Sequence, residues 1–129
     1  MRTEDEIMKL LINTAAQDER IRAAYLEGSR VNPDVPRDMF QDYDVVYVVK
    51  ETASFQKDNG WIDRFGERLY MQYPEDSVYD PGDKENCYGR LMQLRDGNRI
   101  DLHVCTQDYA KTHLEAYQIL LDKDRILPQ

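Results

Sequence analysis

An apolar segment that opens with two aspartates constrains this chain more than any other feature. Residues 45–49 read V-V-Y-V-V, the pattern of a buried central strand. Asp42 and Asp44 precede it, and because strand side chains alternate, both point to one face while Tyr43 points to the other. Two carboxylates at short range repel each other unless a cation lies between them. A hard divalent ion with oxygen ligands, Mg²⁺ above all, suits such a pair.

A Gly-Ser pair upstream adds a second element to this site. Gly28 and Ser29 follow a short predicted strand over residues 21–26. Glycine permits close approach of the backbone, and a hydroxyl beside exposed N–H groups suits phosphate oxygens. Arg30 follows directly and suits either a bidentate contact to phosphate or a surface ion pair. An ordinary turn before solvated acids is the alternative, but the combination favours a metal–triphosphate site.

A third carboxylate lies on a predicted hairpin near the end of the chain. Strands over residues 88–94 and 99–106 flank the turn Asp96-Gly97-Asn98. In the second strand Asp101 has apolar neighbours on both sides and shares a face with His103. A carboxylate is costly to bury there unless it is paired or acts as a ligand. An edge-strand aspartate that faces water is the alternative.

Gly-Ser followed by D-x-D at a strand start resembles the nucleotidyltransferase superfamily that shares its catalytic core with DNA polymerase beta. The longer string G-S-R-V-N-P-D-V-P-R-D-M-F-Q-D-Y-D-V-V-Y-V-V is similar, more narrowly, to the aminoglycoside 6-adenylyltransferases, which inactivate streptomycin. Two further strings, F-Q-K-D-N-G-W-I-D-R-F-G-E-R-L-Y-M-Q-Y-P-E-D and L-L-D-K-D-R-I, resemble the same family. The resemblance therefore spans nearly the whole chain.

The resemblance implies an α+β (α/β) fold of the polymerase beta-like nucleotidyltransferase type, with a small mixed sheet flanked by helices, over residues 1–129. It implies Mg²⁺-dependent transfer of an adenylyl group from ATP to a hydroxyl of an aminoglycoside such as streptomycin. The catalytic and metal-binding residues that it implies are Asp42, Asp44 and Asp101. The nucleotide-binding residues that it implies are Gly28, Ser29 and Arg30.

The resemblance also implies a second, mostly helical domain that forms much of the aminoglycoside site. The sequence ends at Gln129 without a counterpart of that domain. We therefore expect the chain alone to bind Mg²⁺–nucleotide weakly and to transfer poorly. Apolar surface where the second domain docks is expected to favour self-association.

Composition narrows the choice of partners and compartment. With 25 acids against 17 bases the net charge is −8, which disfavours nucleic acid and suits a polycationic aminoglycoside. No apolar run is long enough to span a bilayer, and the N-terminus has no apolar signal core. Two cysteines are too few for a disulfide framework, so we expect a cytoplasmic protein.

Two alternatives remain open at this point. One is a minimal nucleotidyltransferase that modifies a protein or RNA partner, and the other is a non-catalytic nucleotide-binding module. The long family-like strings disfavour the first, and the three acids disfavour the second.

Helical spacing predicts three helices outside the strands. A capping box at Thr3 begins one that we expect over residues 3–18. A second is expected to bury a stripe that includes Trp61 and Leu69, and a third is expected over residues 107–121. Residues 30–41 and the acidic stretch 74–83 are predicted loops, and Lys123 is a candidate phosphate contact or a solvated charge.

Overall fold

A mixed sheet forms the centre of the computed structural model, which describes residues 2–31, 42–58, 60–72, 86–114 and 116–128, without the side chains of residues 29, 30 and 70–72. Its six described strands lie in the order β3-β4-β5-β2-β1-β6. The strands are β1 (Ile21–Glu27), β2 (Tyr43–Val49), β3 (Arg68–Gln72), β4 (Cys87–Leu94), β5 (Arg99–Thr106) and β6 (Gln118–Asp122). The helices are α1 (Glu4–Gln17), α2 (Ala53–Lys57) and α3 (Gln107–Thr112). The predicted α+β fold is therefore confirmed.

The two strands that carry the predicted acids lie side by side at the middle of the sheet. β2 and β5 are parallel, whereas β1 pairs with β2, and β4 with β5, in antiparallel fashion. The hairpin that joins β4 to β5 turns at residues 95–98, where Gly97 has a φ of 92°. This positive φ suits glycine, as the predicted Asp-Gly-Asn turn requires.

Helix α1 covers one face of the sheet. The hydroxyl of Thr3 accepts a hydrogen bond from the Glu6 backbone N–H, and the Glu6 carboxylate accepts one from the Thr3 backbone N–H, so the predicted capping box is present. Ile7 and Leu11 are fully buried against the sheet at helical spacing. The helix predicted over residues 3–18 is confirmed.

The segment after β2 does not form the single helix that the spacing predicts. Helix α2 ends at Lys57, a short 3-10 helix spans Trp61–Phe65, and strand β3 follows. Gly66 has a φ of 126°, which ends the 3-10 helix in a conformation that other residues rarely adopt. Leu69 lies in β3 and is 57% exposed, so its predicted place in a buried helical stripe is wrong. Trp61 is buried between aromatic rings and belongs to the core, as predicted.

The second face of the sheet is covered by α3 and the C-terminal segment. The hydroxyl of Thr106 accepts a hydrogen bond from the Tyr109 backbone N–H and so caps the start of α3. The helix ends at Thr112 rather than near residue 121, because residues 118–122 pair with β1 as strand β6. Backbone pairing with an otherwise open strand edge outweighs the helical spacing of this segment.

Two predicted loops fall mainly outside what the structure describes. Of residues 30–41, only Arg30 and Val31 are described, and their backbone continues a 3-10 helix over Gly28–Val31. Residues 74–83 lie entirely outside the described part of the chain. Among the described residues, no helix has the length and apolar character required to cross a membrane.

Candidate active site

Three carboxylates lie in a row across the middle of the sheet. Glu27 at the end of β1 is opposite Asp44 on β2, and Asp44 is opposite Asp101 on β5. Residues that are opposite one another on neighbouring strands point to the same face. The row therefore lies on one face of the sheet, at the end where β1 finishes and where β2 and β5 begin.

The alternation of the strands keeps the acids out of the main core. Tyr43, Val45 and Tyr47 are buried on the face that α1 covers, so Asp44 points to the opposite face. Likewise Ile100 and Leu102 are buried, and Asp101 points away from them. This confirms the predicted orientation of Tyr43, and it leaves Asp44 and Asp101 only partly buried.

Asp44 has a strongly perturbed pKa. The pKa of Asp44 is raised from 3.8 to about 7, first by burial and then by a side-chain hydrogen bond with Asp101 and by repulsion from the neighbouring carboxylates Asp101, Asp42 and Glu27. Two carboxyl groups can share a hydrogen bond only while one of them holds a proton. Near neutral pH this group therefore holds excess negative charge that a cation would stabilise.

Arg99 supplies a positive charge at the other side of the site. Its Nε lies 3.0 Å from Oδ1 of Asp101 and 3.5 Å from Oδ2 of Asp42. One guanidinium thus holds Asp42, which precedes β2, next to Asp101 at the start of β5. Asp42 and Asp44 are consequently drawn to different partners, although they stand only two residues apart.

Gly28 packs directly against the Asp44 carboxyl group. A Cβ atom built on Gly28 would lie 2.1 Å from Oδ2 of Asp44, and the φ of Gly28 is +78°. Any side chain here would both clash and strain the backbone. The predicted close approach of the Gly28 backbone is therefore an approach to Asp44, at the point where the 3-10 helix over Gly28–Val31 begins.

The other candidate residues from the sequence lie at different distances from the row of acids. Ser29 and Arg30 continue the 3-10 helix beside the acids, but their side chains lie outside the described part of the structure. His103 lies on the same strand and face as Asp101, opposite Val46. Lys123 is at the far end of the sheet, where its Nζ donates to the Asp18 carbonyl oxygen at 3.1 Å. Of the two alternatives given for Lys123, a phosphate contact or a solvated charge, its position excludes a phosphate contact at this site.

The structure adds Glu27 and Arg99 to the residues that the sequence predicts. Neither belongs to a recognisable spacing motif, because each meets its partners across strands. The sequence offered only two weak signals. Strand alternation puts Arg99 on the same face as Asp101, and Glu27 directly precedes Gly28.

The donor set suits a hard divalent cation, since carboxylate oxygens are the ligands that Mg²⁺ prefers. The raised pKa of Asp44 agrees with this, because burial and the neighbouring carboxylates both disfavour its negative charge, which a cation would stabilise. Within the described residues, no three His, Cys, Asp or Glu side chains converge closely enough to hold a metal ion. Asp44 and Asp101 already meet, whereas Asp42 lies beside Arg99, which also pairs with Asp101.

The chain belongs to the streptomycin adenylyltransferase family, whose sequence model matches residues 1–129. It is 39% identical over 131 residues to an aminoglycoside 6-adenylyltransferase of Bacillus subtilis (strain 168), covering 98% of this chain and 46% of that protein. It is also 39% identical over 127 residues to an aminoglycoside 6-adenylyltransferase of Campylobacter jejuni, covering 96% of this chain and 44% of that protein.

The fold is shared with a solved member of the family. The crystal structure of an aminoglycoside 6-adenyltransferase from Bacillus subtilis superposes with a TM-score of 0.77 at 32% sequence identity. The superposition covers 100% of this chain and 44% of that chain. The chain therefore spans less than half the length of the relatives that it matches.

Proposed function

We propose that this chain carries the nucleotide and metal site of an enzyme that transfers an adenylyl group from ATP to a hydroxyl of an aminoglycoside such as streptomycin. The observation that carries the proposal is the Asp44–Asp101 pair, which lies on adjacent parallel strands beside Gly28. Membership of the family supports the reaction class, since its relatives are named aminoglycoside 6-adenylyltransferases.

Asp42, Asp44 and Asp101 would hold Mg²⁺ in this scheme. When bound, Mg²⁺ supplies positive charge at the phosphate oxygens and favours deprotonation of the attacking hydroxyl. Before that, the proton that Asp44 shares with Asp101 has to leave, because metal ligands bind in their deprotonated form. Asp101 and Asp44 therefore position the reacting groups only after they have given up their mutual hydrogen bond.

The turn after β1 would bind the phosphates. The first N–H groups of a helical turn have no partner within the turn, so they are available to an anion. In this chain these groups belong to the 3-10 helix over Gly28–Val31, which starts at the Asp44 carboxyl group. We assign Gly28, Ser29 and Arg30 to the nucleotide phosphates on this basis.

The charge of the chain agrees with the proposed acceptor. A net charge of −8 attracts a polycationic aminoglycoside and repels nucleic acid. We place the reaction in the cytoplasm, where ATP is available.

Calorimetric titration with a non-hydrolysable ATP analogue and Mg²⁺ tests the site directly. Wild type should bind the analogue in a metal-dependent manner, and Asp101→Asn should weaken this binding by about tenfold or more, because it removes one ligand charge. Asp58→Asn changes an exposed acid remote from the row of carboxylates and should bind like wild type. Equal binding by wild type and Asp101→Asn would contradict the proposed site.

Transfer is measured separately, as the gain of an AMP group by streptomycin. The relatives are more than twice as long as this chain, and we propose that the rest of their length contributes to aminoglycoside binding. We therefore expect the chain alone to bind nucleotide weakly and to transfer slowly. Efficient turnover of streptomycin by this chain would refute that expectation, while leaving the nucleotide site intact.

A further inference from the structure

The two cysteines of the chain meet across neighbouring strands. Cys87 on β4 is directly opposite Cys105 on β5, and their Sγ atoms are 2.7 Å apart. Both thiols are reduced in this structure. The predicted strands contain Cys105 and begin one residue after Cys87, and the contact of the two residues depends on the register of β4 against β5.

The backbone at this point already has the geometry of a cross-strand disulfide. The Thr106 backbone N–H donates to the Asn86 carbonyl oxygen at 2.8 Å, so the adjacent pair, Cys87 and Cys105, lies at a position without direct backbone hydrogen bonds. At such a position the two Cα atoms are about 4.5 Å apart, within the range that disulfides span. The sulfurs need to approach by only about 0.65 Å to reach the S–S bond length of about 2.05 Å. The strand register and the spacing of the two sulfurs therefore both suit a bond between them.

The surroundings of the two thiols leave each thiol as the available reaction partner of the other. They lie in an apolar cluster whose other buried members are Ala23, Tyr25, Val46, Val48, Ala110 and Leu127. A zinc site would need further ligands, and within the described residues no third His, Cys, Asp or Glu joins the two cysteines in a metal-holding group. Cys87 is 7% exposed and Cys105 is 3% exposed, so a cysteine of a second chain has little access to either sulfur.

We infer that Cys87 and Cys105 are a site of oxidative modification, at which a peroxide closes an intrachain disulfide between β4 and β5. In the first step one sulfur attacks a peroxide oxygen, the O–O bond breaks, and a sulfenic acid and one water form. The second sulfur then attacks the sulfenic sulfur, the S–O bond breaks, and a second water leaves with the S–S bond formed. The two thiols lose two electrons and two hydrogens in total, and the peroxide accepts both.

Treatment of the folded 129-residue chain with hydrogen peroxide tests this inference. The expected product is a monomer lighter by two hydrogen atoms, in which the number of thiols titratable after denaturation falls from two to zero. Dithiothreitol should restore both thiols. Digestion without reduction should yield one linked pair of peptides, one containing Cys87 and the other containing Cys105.

Cys87→Ala and Cys105→Ala are the matched controls, since each leaves one buried thiol without its partner. They should gain oxygen or remain unchanged, and neither should lose two hydrogens. The inference is overturned if both thiols of the wild-type chain stay titratable, if it gains oxygen instead, or if it forms a linked dimer. The wild-type result decides the question even where a variant folds poorly. The experiment involves neither nucleotide nor metal, so its outcome is independent of the proposed adenylyl transfer.

Discussion

The carboxyl groups of Asp44 and Asp101 lie opposite one another on adjacent parallel strands and share a hydrogen bond. The hydrogen bond between these two carboxyl groups exists only while one of them is protonated. When the proton leaves, two charges remain side by side in a partly buried position, and this costs folding free energy. The charged pair is therefore expected to destabilise the fold at neutral and higher pH. A bound cation should remove this destabilisation.

Asp44→Asn is predicted to stabilise the chain while it impairs transfer. Burial and the neighbouring acids raise the pKa of Asp44 from 3.8 to about 7, so the folded state binds more protons than the unfolded state between these values. Stability of the wild type should therefore fall as the pH rises through this range and then level off. The substituted chain lacks this penalty and should be more stable by about 2 kcal/mol above pH 7, a value halved because Asp44 is partly exposed.

Urea unfolding of the wild type and of Asp44→Asn, from about pH 4 to above pH 7, measures the difference in their free energies of unfolding. The stability gap should be small near pH 4, widen towards pH 7 and stay constant above it. Asp58→Asn, at an exposed acid, should follow the wild-type curve. If Asp44 has the role proposed above, transfer should be slower by about a hundredfold or more in Asp44→Asn, because this variant lacks the charge that would position the reacting groups. A gap that is independent of pH would show that Asp44 does not titrate as described.

Gly28→Ala is predicted to damage both stability and the site. The new Cβ would lie 2.1 Å from Oδ2 of Asp44, and the positive φ of +78° adds backbone strain. We expect a loss of about 2 kcal/mol or more in unfolding free energy, together with weaker nucleotide binding. Gly60→Ala is the matched control, because its nearest neighbour outside the adjoining residues is 3.8 Å away. Equal stability of the two variants in denaturant unfolding would contradict this reading of Gly28.

Four of the six described strands, and the shared face of Asp42 and Asp44, could be predicted because they depend on a simple alternation. Tyr43 and Val45 on one face, with Asp42 and Asp44 on the other, follow from the period of a strand. The resemblance to a known family then indicated that Asp101 belongs beside them. The register that sets Asp101 opposite Asp44 depends on the parallel pairing of distant strands, which no local pattern encodes.

Helical spacing of apolar residues predicted the wrong element in two segments that pair as strands. Leu69 follows Phe65 at a helical interval, yet Gly66 ends the preceding turn and residues 68–72 pair with β4. The segment 118–122 shows helical spacing too, but pairs with the open edge of β1. In both cases a strand edge offered hydrogen bonds that an isolated short helix could not match. Arg99 and Glu27 were missed for a related reason, since their partners lie on other strands.

Thr3→Ala is predicted to destabilise the chain by about 1 kcal/mol, because it removes the side-chain acceptor for the first turn of α1. Thr3→Ser retains the hydroxyl and should cost much less. Thermal unfolding of the two variants separates loss of the cap from loss of the methyl group. A larger effect of the serine variant would contradict the role of the capping box.

Arg99→Met is predicted to tighten the binding of a divalent cation in the absence of nucleotide. Arg99 holds Asp101 at 3.0 Å and Asp42 at 3.5 Å, so it both competes for the carboxylate oxygens and repels a second cation. Removal of one positive charge next to a divalent ion should strengthen binding by about tenfold. Titration with Mn²⁺, followed by electron paramagnetic resonance, measures this directly, and Arg99→Lys should give an intermediate affinity.

Arg95→Met provides the matched control for this experiment. Arg95 pairs with Glu67 at 2.8 Å on an exposed surface of the β4–β5 turn, so its removal should leave the Mn²⁺ affinity unchanged. Weaker Mn²⁺ binding by Arg99→Met would mean that Arg99 orients the carboxylates for the metal rather than competing with it. Without Mn²⁺, the same variant should also unfold at a lower temperature, because Asp42 and Asp101 lose the charge that compensates them. Added Mn²⁺ should then raise its unfolding temperature more than that of the wild type, because at equal concentration a ligand that binds the folded state more tightly stabilises it more.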